Sequence, residues 1–222
     1  MNYFKFSISE NELLALPSGA LWWPDQSILC VSDLHFGKSN RLARKGQSWM
    51  PPYENQDTLL RLEKDLDATN TKKIICLGDS FDDNEASRSL PPDEVLWITK
   101  MQTRREWIWI SGNHDPSPKN LGGTFLESLE IEKLNFQHIA SSKKRLEISG
   151  HYHPKIRVRV KHQSFTKRCF LVDDKRVIMP AYGTYTGGLY CNRDPLRSIM
   201  NQNSIALMIG KEIYPIPISK AN

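Results

Sequence analysis

The chain has 222 residues, 39% of them hydrophobic, which is enough to bury a substantial core as a single domain spanning residues 1–222. No apolar run approaches the roughly 18–20 residues needed to cross a bilayer, and the first residues lack the charged and apolar regions of a signal peptide. The formal net charge is +5, and the four cysteines show no C-x-x-C spacing. These features argue against a membrane protein or a disulfide-rich secreted protein, and they predict a soluble, cytoplasmic one.

Strand-like and helix-like patterns alternate along the first half of the chain. Apolar runs at 28–31, 74–77 and 107–110 predict buried strands. Leucines at positions 59, 62 and 66 predict a helix over 57–66, and Pro91-Pro92-Asp93-Glu94 predicts the start of a second helix. After Gly150 the pattern becomes mostly β, with hairpins predicted at 168–179 and 204–216. This order of elements is typical of a protein that mixes helices and sheets.

A short polar motif follows each of four predicted strands, the fourth being a weaker run at 146–148. The motifs are Asp33-Leu34-His35, Gly78-Asp79, Gly112-Asn113-His114-Asp115 and Gly150-His151-Tyr152-His153. Open α/β sheets bind ligands outside the carboxyl ends of their strands, so we expect these side chains to meet. Carboxylate, amide and imidazole groups in one cluster suit divalent metals such as Mn, Fe, Zn or Mg. The sequence therefore predicts a two-metal hydrolase.

The ordered series resembles the motifs of the calcineurin-like metallophosphoesterases: D-x-H, G-D, G-N-H-D/E, a lone histidine, then G-H-x-H. Each motif alone is also compatible with a hydrogen-bonded turn, so the resemblance rests on the complete order. His138 is the only histidine between the third and last motifs and takes the place of the lone histidine. The resemblance implies an α/β (α+β) fold in which two mixed sheets pack face to face as a β-sandwich, with helices on both outer sides.

The resemblance also implies two metal sites that share one carboxylate. The first metal would be held by Asp33, His35, Asp79 and His153. The second metal would be held by Asp79, Asn113, His138 and His151. A shared carboxylate reduces the repulsion between two dications, which together activate water near neutral pH. Two divalent metal ions are therefore the expected cofactors, with Mn²⁺ first and Fe, Zn, Ni or Mg as alternatives.

His114 and Asp115 are the catalytic residues that the resemblance implies. His114 corresponds to the family's non-ligand histidine, which would donate to phosphoryl oxygens or protonate the leaving group. Asp115 has two interpretations that remain open. It either orients His114 by accepting its second N–H or acts as a turn or cap residue before Pro116.

Positive charge is concentrated between Lys143 and Arg176, where eleven lysines and arginines outnumber three acidic residues. Within this segment, residues 156–161 alternate between apolar and basic. On a strand, this alternation places Arg157, Arg159 and Lys161 on one outer face, about 6–7 Å apart, which is close to the spacing of phosphates along a nucleic-acid strand. The row predicts nucleic-acid binding, and the alternative is a solvated edge strand protected from aggregation by charge.

Residues 38–47 are polar and basic and lead into Pro51-Pro52. They form either a lid or loop over the site or a short helix that runs away from it. Lys38 or Arg41 would then contact substrate phosphate, or both would simply be solvated.

The segment 180–188, together with 77–83 and 168–170, resembles the bacterial ligase-associated DNA damage response endonucleases, a branch of the same superfamily. That branch more often has a histidine in place of Asp82, and an acidic residue and proline in place of Ile139-Ala140, so a contact around the site is expected to differ. The resemblance implies a phosphodiesterase that uses a metal-bridging hydroxide, specifically a DNA endonuclease in repair, with DNA and repair proteins as partners. The alternatives are a phosphatase or phosphodiesterase of a small nucleotide or lipid phosphate, and a non-catalytic binding module.

Overall fold

The computed structural model describes residues 2–47, 50–114, 121–141 and 145–218. Within them the chain forms two mixed β-sheets and five α-helices. The helices are α1 (Lys38–Arg44), α2 (Glu54–Thr69), α3 (Asn84–Arg88), α4 (Pro92–Gln102) and α5 (Leu196–Ile199). None of these helices is long and apolar enough to cross a membrane.

The first sheet has seven strands that lie side by side in chain order. They are β1 (Phe4–Ile8), β2 (Asn11–Ala15), β3 (Leu21–Trp23), β4 (Ile28–Val31), β5 (Lys73–Leu77), β6 (Glu106–Ile110) and β7 (Thr124–Leu126). Strands β1 to β4 form an antiparallel meander, whereas β4 to β7 run parallel. The three predicted buried strands are β4, β5 and β6, so that part of the prediction is confirmed.

The second sheet has eight strands when the side strand β11 is included. In spatial order they are β15 (Ile213–Pro217), β14 (Ile205–Ile209), β12 (Gln163–Val172), β13 (Arg176–Ile178), β10 (Glu147–Ser149), β9 (Leu134–Gln137) and β8 (Ser128–Ile131), with β11 (Lys155–Val160) paired to β12. Strand β10 runs parallel to both of its neighbours, and the remaining pairs are antiparallel. The predicted hairpins at 168–179 and 204–216 are confirmed as β12–β13 and β14–β15.

Apolar side chains of the two sheets meet in a shared core, in which Ile75 and Ile108 of the first sheet lie with Phe136 and Phe170 of the second. Helices α2 and α4 cover the outer face of the first sheet, where the three predicted leucines at 59, 62 and 66 are at most 1% exposed. On the outer face of the second sheet, Leu196 of α5 packs in a third cluster with Cys169 and Leu171. The implied sandwich with helices on both outer sides is therefore confirmed.

Within the basic segment, β11 and the first half of β12 form an antiparallel hairpin. Arg157 and Arg159 are exposed, whereas Ile156 is buried and Val158 is partly buried, as the alternation predicts. Val160, at the end of the strand, is exposed, contrary to the alternation. Lys161, however, lies outside the strand: β11 ends at Val160, and Lys161 has φ 55° in a two-residue turn before Gln163. Placing Lys161 on the same face was wrong, because a two-residue hairpin turn takes its residues out of the strand conformation.

A loop after β13 holds the two sheets together next to the end of β4. The amide of Tyr182 donates to the carbonyl of Ser32 over 2.7 Å, and the amide of Gly183 donates to the carbonyl of Asp33 over 3.0 Å. A Cβ atom at position 183 would lie 2.0 Å from the carbonyl oxygen of Leu34, well inside van der Waals contact. Gly183 is therefore required for this close backbone approach.

Two alanine substitutions in this loop form a matched pair. We expect Gly183→Ala to lower the free energy of unfolding by about 2–3 kcal/mol, because backbone must move to accept the methyl group. Gly187→Ala should change it by less than about 0.5 kcal/mol, since a Cβ at Gly187 meets nothing within 4 Å. Urea denaturation followed by circular dichroism measures both. Equal stabilities of the two variants would contradict the packing of Gly183 on Leu34.

Candidate metal centre

Polar side chains that follow five strands converge at one edge of the sandwich. Strands β4, β5 and β6 are parallel, as are β9 and β10, so within each sheet the carboxyl ends lie together. The loops that follow the two sheets are joined by hydrogen bonds, such as that from the amide of His151 to Oδ2 of Asp33 over 3.0 Å. Seven side chains meet there as the motifs predicted: Asp33, His35, Asp79, Asn113, His138, His151 and His153.

Asp33, His35 and His153 form a first group of donors, whose ligand atoms all lie within 4.8 Å of one another. Nε2 of His35 lies 3.4 Å from Nε2 of His153, and the same His153 atom lies 3.1 Å from Oδ1 of Asp33. Asp33 and His35 are buried and His153 is partly exposed, so the group opens to solvent on one side.

Asp79, His138 and His151 form a second group with the same compactness. Nε2 of His138 is at its centre. It lies 3.3 Å from Oδ2 of Asp79, 3.2 Å from Nδ1 of His151 and 3.0 Å from Oδ1 of Asn113.

The spacing of these donor atoms fits a metal ion. Donors about 2.1 Å from one cation lie about 3.0–3.4 Å apart when the angles between them are about 90–109°. The five distances given above, one of which joins His138 to Asn113, run from 3.0 to 3.4 Å. Imidazole nitrogens whose lone pairs face each other at this distance repel, unless a proton or a metal ion lies between them. Both groups therefore have the composition and the spacing of divalent metal sites.

Asp33 is held so that one carboxylate oxygen faces the histidines. Its Oδ2 accepts hydrogen bonds from the Ser32 hydroxyl and from the amide of His151. Gly150 permits this approach, since a Cβ there would lie 1.7 Å from Oγ of Ser32. Burial acts to raise the pKa of Asp33, but His153, His138 and His35 together lower it, so the group is a carboxylate at neutral pH. Ser32 was not identified from the sequence, because nothing in its spacing distinguishes it from any other serine.

Asp79 and His138 shift each other's pKa. Burial acts to raise the pKa of Asp79, but its contact with His138 and the hydrogen bond from the amide of His114 lower it to about 2. Burial acts to lower the pKa of His138, but Asp79 and Asp33 raise it to about 9. Nδ1 of His138 lies 2.8 Å from the carbonyl of Leu77. When this nitrogen carries the hydrogen, Nε2 is left to face the other donors.

The backbone around the centre adopts the left-handed region at five of the predicted ligands, with φ between 45° and 70° at Asp33, His35, Asp79, His151 and His153. Non-glycine residues rarely take this conformation, although aspartate and histidine tolerate it better than most. Such residues persist only where surrounding contacts enforce the conformation, and they concentrate at functional sites. The strained turns direct successive side chains of the D-x-H and H-x-H motifs into the same space.

Asp82 is a buried residue that supports His35 from behind. Its Oδ1 lies 2.8 Å from Nδ1 of His35, and its Oδ2 pairs with Nε of Arg41. Burial acts to raise the pKa of Asp82, but the contacts with His35, Arg41 and Lys38 lower it to about 2. A carboxylate there holds the hydrogen of His35 on Nδ1 and leaves Nε2 for a metal. The sequence identified Asp82 only as a departure from the endonuclease branch, without its contact to His35.

Residues 38–44 form helix α1, which confirms a short helix but not the expectation that it runs away from the site. Lys38 and Arg41 are neither free in solvent nor directed away from the site. Nζ of Lys38 lies 3.8 Å from Oδ1 of Asp82, and the side chains of Lys38 and Arg41 are only 18% and 20% exposed. Their positive charge therefore lies next to the first donor group, separated from it by Asp82.

His114 borders both donor groups and is open to solvent. Its ring is 5.6 Å from that of His35, and its Nε2 lies 4.0 Å from Oδ2 of Asp79. Its side chain is 40% exposed, so a bound substrate can reach it. Asp115 lies outside the described residues.

Asp82 and Asp83 provide a matched pair for testing the support of His35. We expect Asp82→Asn to weaken metal binding about 10–100-fold, because an amide can present a hydrogen to Nδ1 and fixes the histidine less well. Asp83→Asn should leave metal affinity unchanged, since Asp83 caps α3 through the amide of Ala86 and pairs with Arg44. Calorimetric titration with Mn²⁺ compares the two. Equal metal affinities of the two variants would contradict a role for Asp82 in positioning His35 for metal binding.

Metal uptake should release protons at neutral pH. A metal binds neutral imidazole, whereas His138 in the metal-free protein remains protonated up to about pH 9. The apparent metal affinity should therefore rise as the pH increases towards 9 and level off above it. Titrations at one neutral pH in two buffers of different ionisation enthalpy count the protons released. Binding without proton release, together with an affinity independent of pH, would contradict this protonation state of His138.

The chain is similar to known proteins in sequence and in fold. The calcineurin-like phosphoesterase family matches the sequence over residues 26–210. A comparison with curated proteins gave no significant match. Among solved structures, the nuclease MPE of Pseudomonas putida is 24% identical with a TM-score of 0.74, and the match covers 97% of this chain and 100% of that one. Yfce, a phosphoesterase from E. coli, is 12% identical with a TM-score of 0.41, and the match covers 86% and 98%.

The two kinds of comparison support different statements. At its level of identity, the likeness to the P. putida nuclease shows a shared fold. The family match spans most of the chain, including every motif from Asp33 to His153, and confirms the resemblance found from the motifs. The chain belongs to the calcineurin-like phosphoesterase family, and it is a metal-dependent hydrolase of phosphate esters.

Proposed function

We propose that the protein is a two-metal phosphodiesterase that cuts DNA. The observation that carries this proposal is the presence of two adjacent donor groups, each with its ligand atoms within 4.8 Å of one another. In this proposal Asp79 is shared by both ions, and Asn113 completes the second site. The remaining ligands are Asp33, His35 and His153 for the first ion, and His138 and His151 for the second. Mn²⁺ is the expected metal, with Fe, Zn, Ni or Mg as alternatives.

The bound ions supply Lewis acidity and activate water near neutral pH. The protein contributes charge and position. Asp33 and Asp79 both have lowered pKa values, so they bring two negative charges to a site for two dications. His114, exposed beside Asp79, would donate a proton to a phosphoryl oxygen or to the leaving oxygen. The role of Asp115 in orienting His114 is carried by the family resemblance alone.

Three observations support DNA as the substrate. The hairpin that exposes Arg157 and Arg159 begins two residues after His153, so its basic face starts beside the metal centre. The structure with the same fold reported above is described as a nuclease. The stretches at 77–83, 168–170 and 180–188 resemble the ligase-associated endonucleases, and a role in repair with repair-protein partners rests on that resemblance. Protection of an edge strand also accounts for the two arginines, since β12 is the strand that pairs with β11 along its length.

Nicking of supercoiled circular DNA in the presence of Mn²⁺ tests the proposal. We expect the wild-type protein to produce nicked circles and Asp79→Asn to produce none, because the variant loses the carboxylate proposed to hold both ions. Asp67→Asn is the matched control, since Asp67 is a 72% exposed carboxylate on α2 whose ion pair with Arg105 is 3.7 Å long. The control should cut like the wild type.

His114→Gln separates loss of metal from loss of proton donation in the same assay. It should bind Mn²⁺ normally and cut about 10²–10⁴-fold more slowly. Nicking by Asp79→Asn at the wild-type rate would overturn the shared-carboxylate assignment. Intact circles under conditions in which the wild type hydrolyses bis(p-nitrophenyl) phosphate would overturn the DNA substrate. That result would favour a small nucleotide or lipid phosphate instead.

A further inference from the structure

The basic face of the hairpin continues into a second cleft. Residues that lie opposite each other in an antiparallel pair share a face, and Lys155 lies opposite Arg168. On β12, Arg168 and Phe170 are two residues apart, so their side chains lie on the same face of the strand. Phe170 packs in the core between the two sheets. The row formed by Arg159, Arg157, Lys155 and Arg168 is therefore continuous with the inner side of the second sheet.

Arg168 shares this cleft with a second arginine, Arg61 of α2. The two side chains line it together with Asp57 and residues 183–186. Nη1 of Arg61 donates to the carbonyl of Tyr182 over 2.9 Å, and Nη1 of Arg168 lies 3.5 Å from the same oxygen and donates to the carbonyl of Ala181 over 2.7 Å. Two guanidinium groups are thus held against one short stretch of backbone.

Negative charge within the cleft does not balance the two arginines. Asp57 pairs with Arg61 over 3.0 Å and is itself 56% exposed. In the part of the chain that the structure describes, Arg168 forms no ion pair with a carboxylate. Burial and the neighbouring Arg61 lower the pKa of Arg168 to about 10, so it still carries its charge at neutral pH. A largely buried cation that faces a cleft without its own counterion is suited to binding an anion.

We propose that the cleft between Arg61 and Arg168 binds a backbone phosphate of a nucleic-acid strand, at the metal-proximal end of a row of cations formed by Arg159, Arg157 and Lys155. This inference rests on the proposed function, and it adds a phosphate subsite outside the metal centre. Guanidinium groups suit this role because their planar N–H donors match phosphate oxygens in pairs.

The spacing along the row supports a strand rather than a single small anion. Successive residues on one face of a strand lie about 6–7 Å apart, and directly paired residues lie about 5 Å apart. Arg157 and Lys155 are both held over the ring of Tyr190, 4.8 and 4.7 Å from its centre. Tyr190 orients both cations without neutralising their charge.

The cleft is linked directly to the metal centre. One of its walls is Gly183, whose amide donates to the carbonyl of Asp33 over 3.0 Å. Lys155, opposite Arg168, lies two residues after His153. A strand bound along the row would therefore enter the metal centre at the end where the two arginines lie.

A purely structural role would also account for part of this arrangement, because both arginines donate to carbonyls of the loop that packs on β4. That role uses only Nη1 of Arg168. Its Nε and Nη2 have no hydrogen-bond partner among the described residues. These two atoms form one edge of the guanidinium, and this edge would contact the phosphate.

Salt-dependent binding of a fluorescent single-stranded oligonucleotide, measured by anisotropy, tests the subsite. Each phosphate contact contributes about 0.7 to the slope of log Kd against log salt for a single strand. We expect Arg168→Gln to weaken binding about 10-fold and to lower the slope by about one contact. Arg168→Lys should restore most of the slope, because it keeps the charge. Lys72→Gln is the matched control, since Lys72 lies at the opposite end of β5 from Asp79, and it should match the wild type.

An unchanged slope in Arg168→Gln would overturn the subsite, and so would a loss that lysine does not restore. Arg61→Gln, measured in the same way, decides the question if Arg168→Gln does not fold. Calorimetric titration with inorganic phosphate distinguishes a strand from a free anion: binding of phosphate by the wild type, with no binding of the strand, would overturn the proposed row. Hydrolysis of bis(p-nitrophenyl) phosphate by the wild type tests the phosphoesterase activity separately, so failure of the subsite and failure of the enzyme remain distinguishable.

Discussion

The structure depends above all on holding imidazole, carboxylate and amide donors 3.0–3.4 Å apart at a mostly buried edge of the sandwich. In the second donor group, a proton on His138 relieves the repulsion, since Asp79 and Asp33 raise the pKa of His138 to about 9 against the effect of burial. Left-handed turns and close glycine contacts bring the donor loops together. A divalent ion relieves the same repulsion that the protonated histidine relieves, so metal and proton compete for one position.

The positions of the donors could be predicted because each motif directly follows a strand. In a sheet with parallel strands, the residues that directly follow two neighbouring strands lie close together at the same edge of the sheet. Motifs that are far apart in the sequence can therefore be placed in one site. The helix containing Leu59, Leu62 and Leu66 could be predicted for a similar reason, since its periodicity reports the buried face. These inferences need only local patterns and one rule of topology.

The features that could not be predicted depend on contacts between distant segments. Ser32 supports Asp33, and Asp82 supports His35, but neither contact follows from residue spacing. Lys161 was misplaced because alternation continues through it, whereas pairing of Val160 with Gln163 ends the strand one residue earlier. The cleft between Arg61 and Arg168 joins α2 to β12, residues more than a hundred positions apart that no sequence pattern connects.

Anomalous diffraction from crystals grown with Mn²⁺ tests the central claim most directly. Two manganese peaks should appear at the sheet edge. One should lie among Asp33, His35 and His153, the other among His138, His151 and Asn113, with Asp79 contacting both. A single peak, or manganese bound elsewhere while these donors remain 3.0–3.4 Å apart, would contradict the two-metal account.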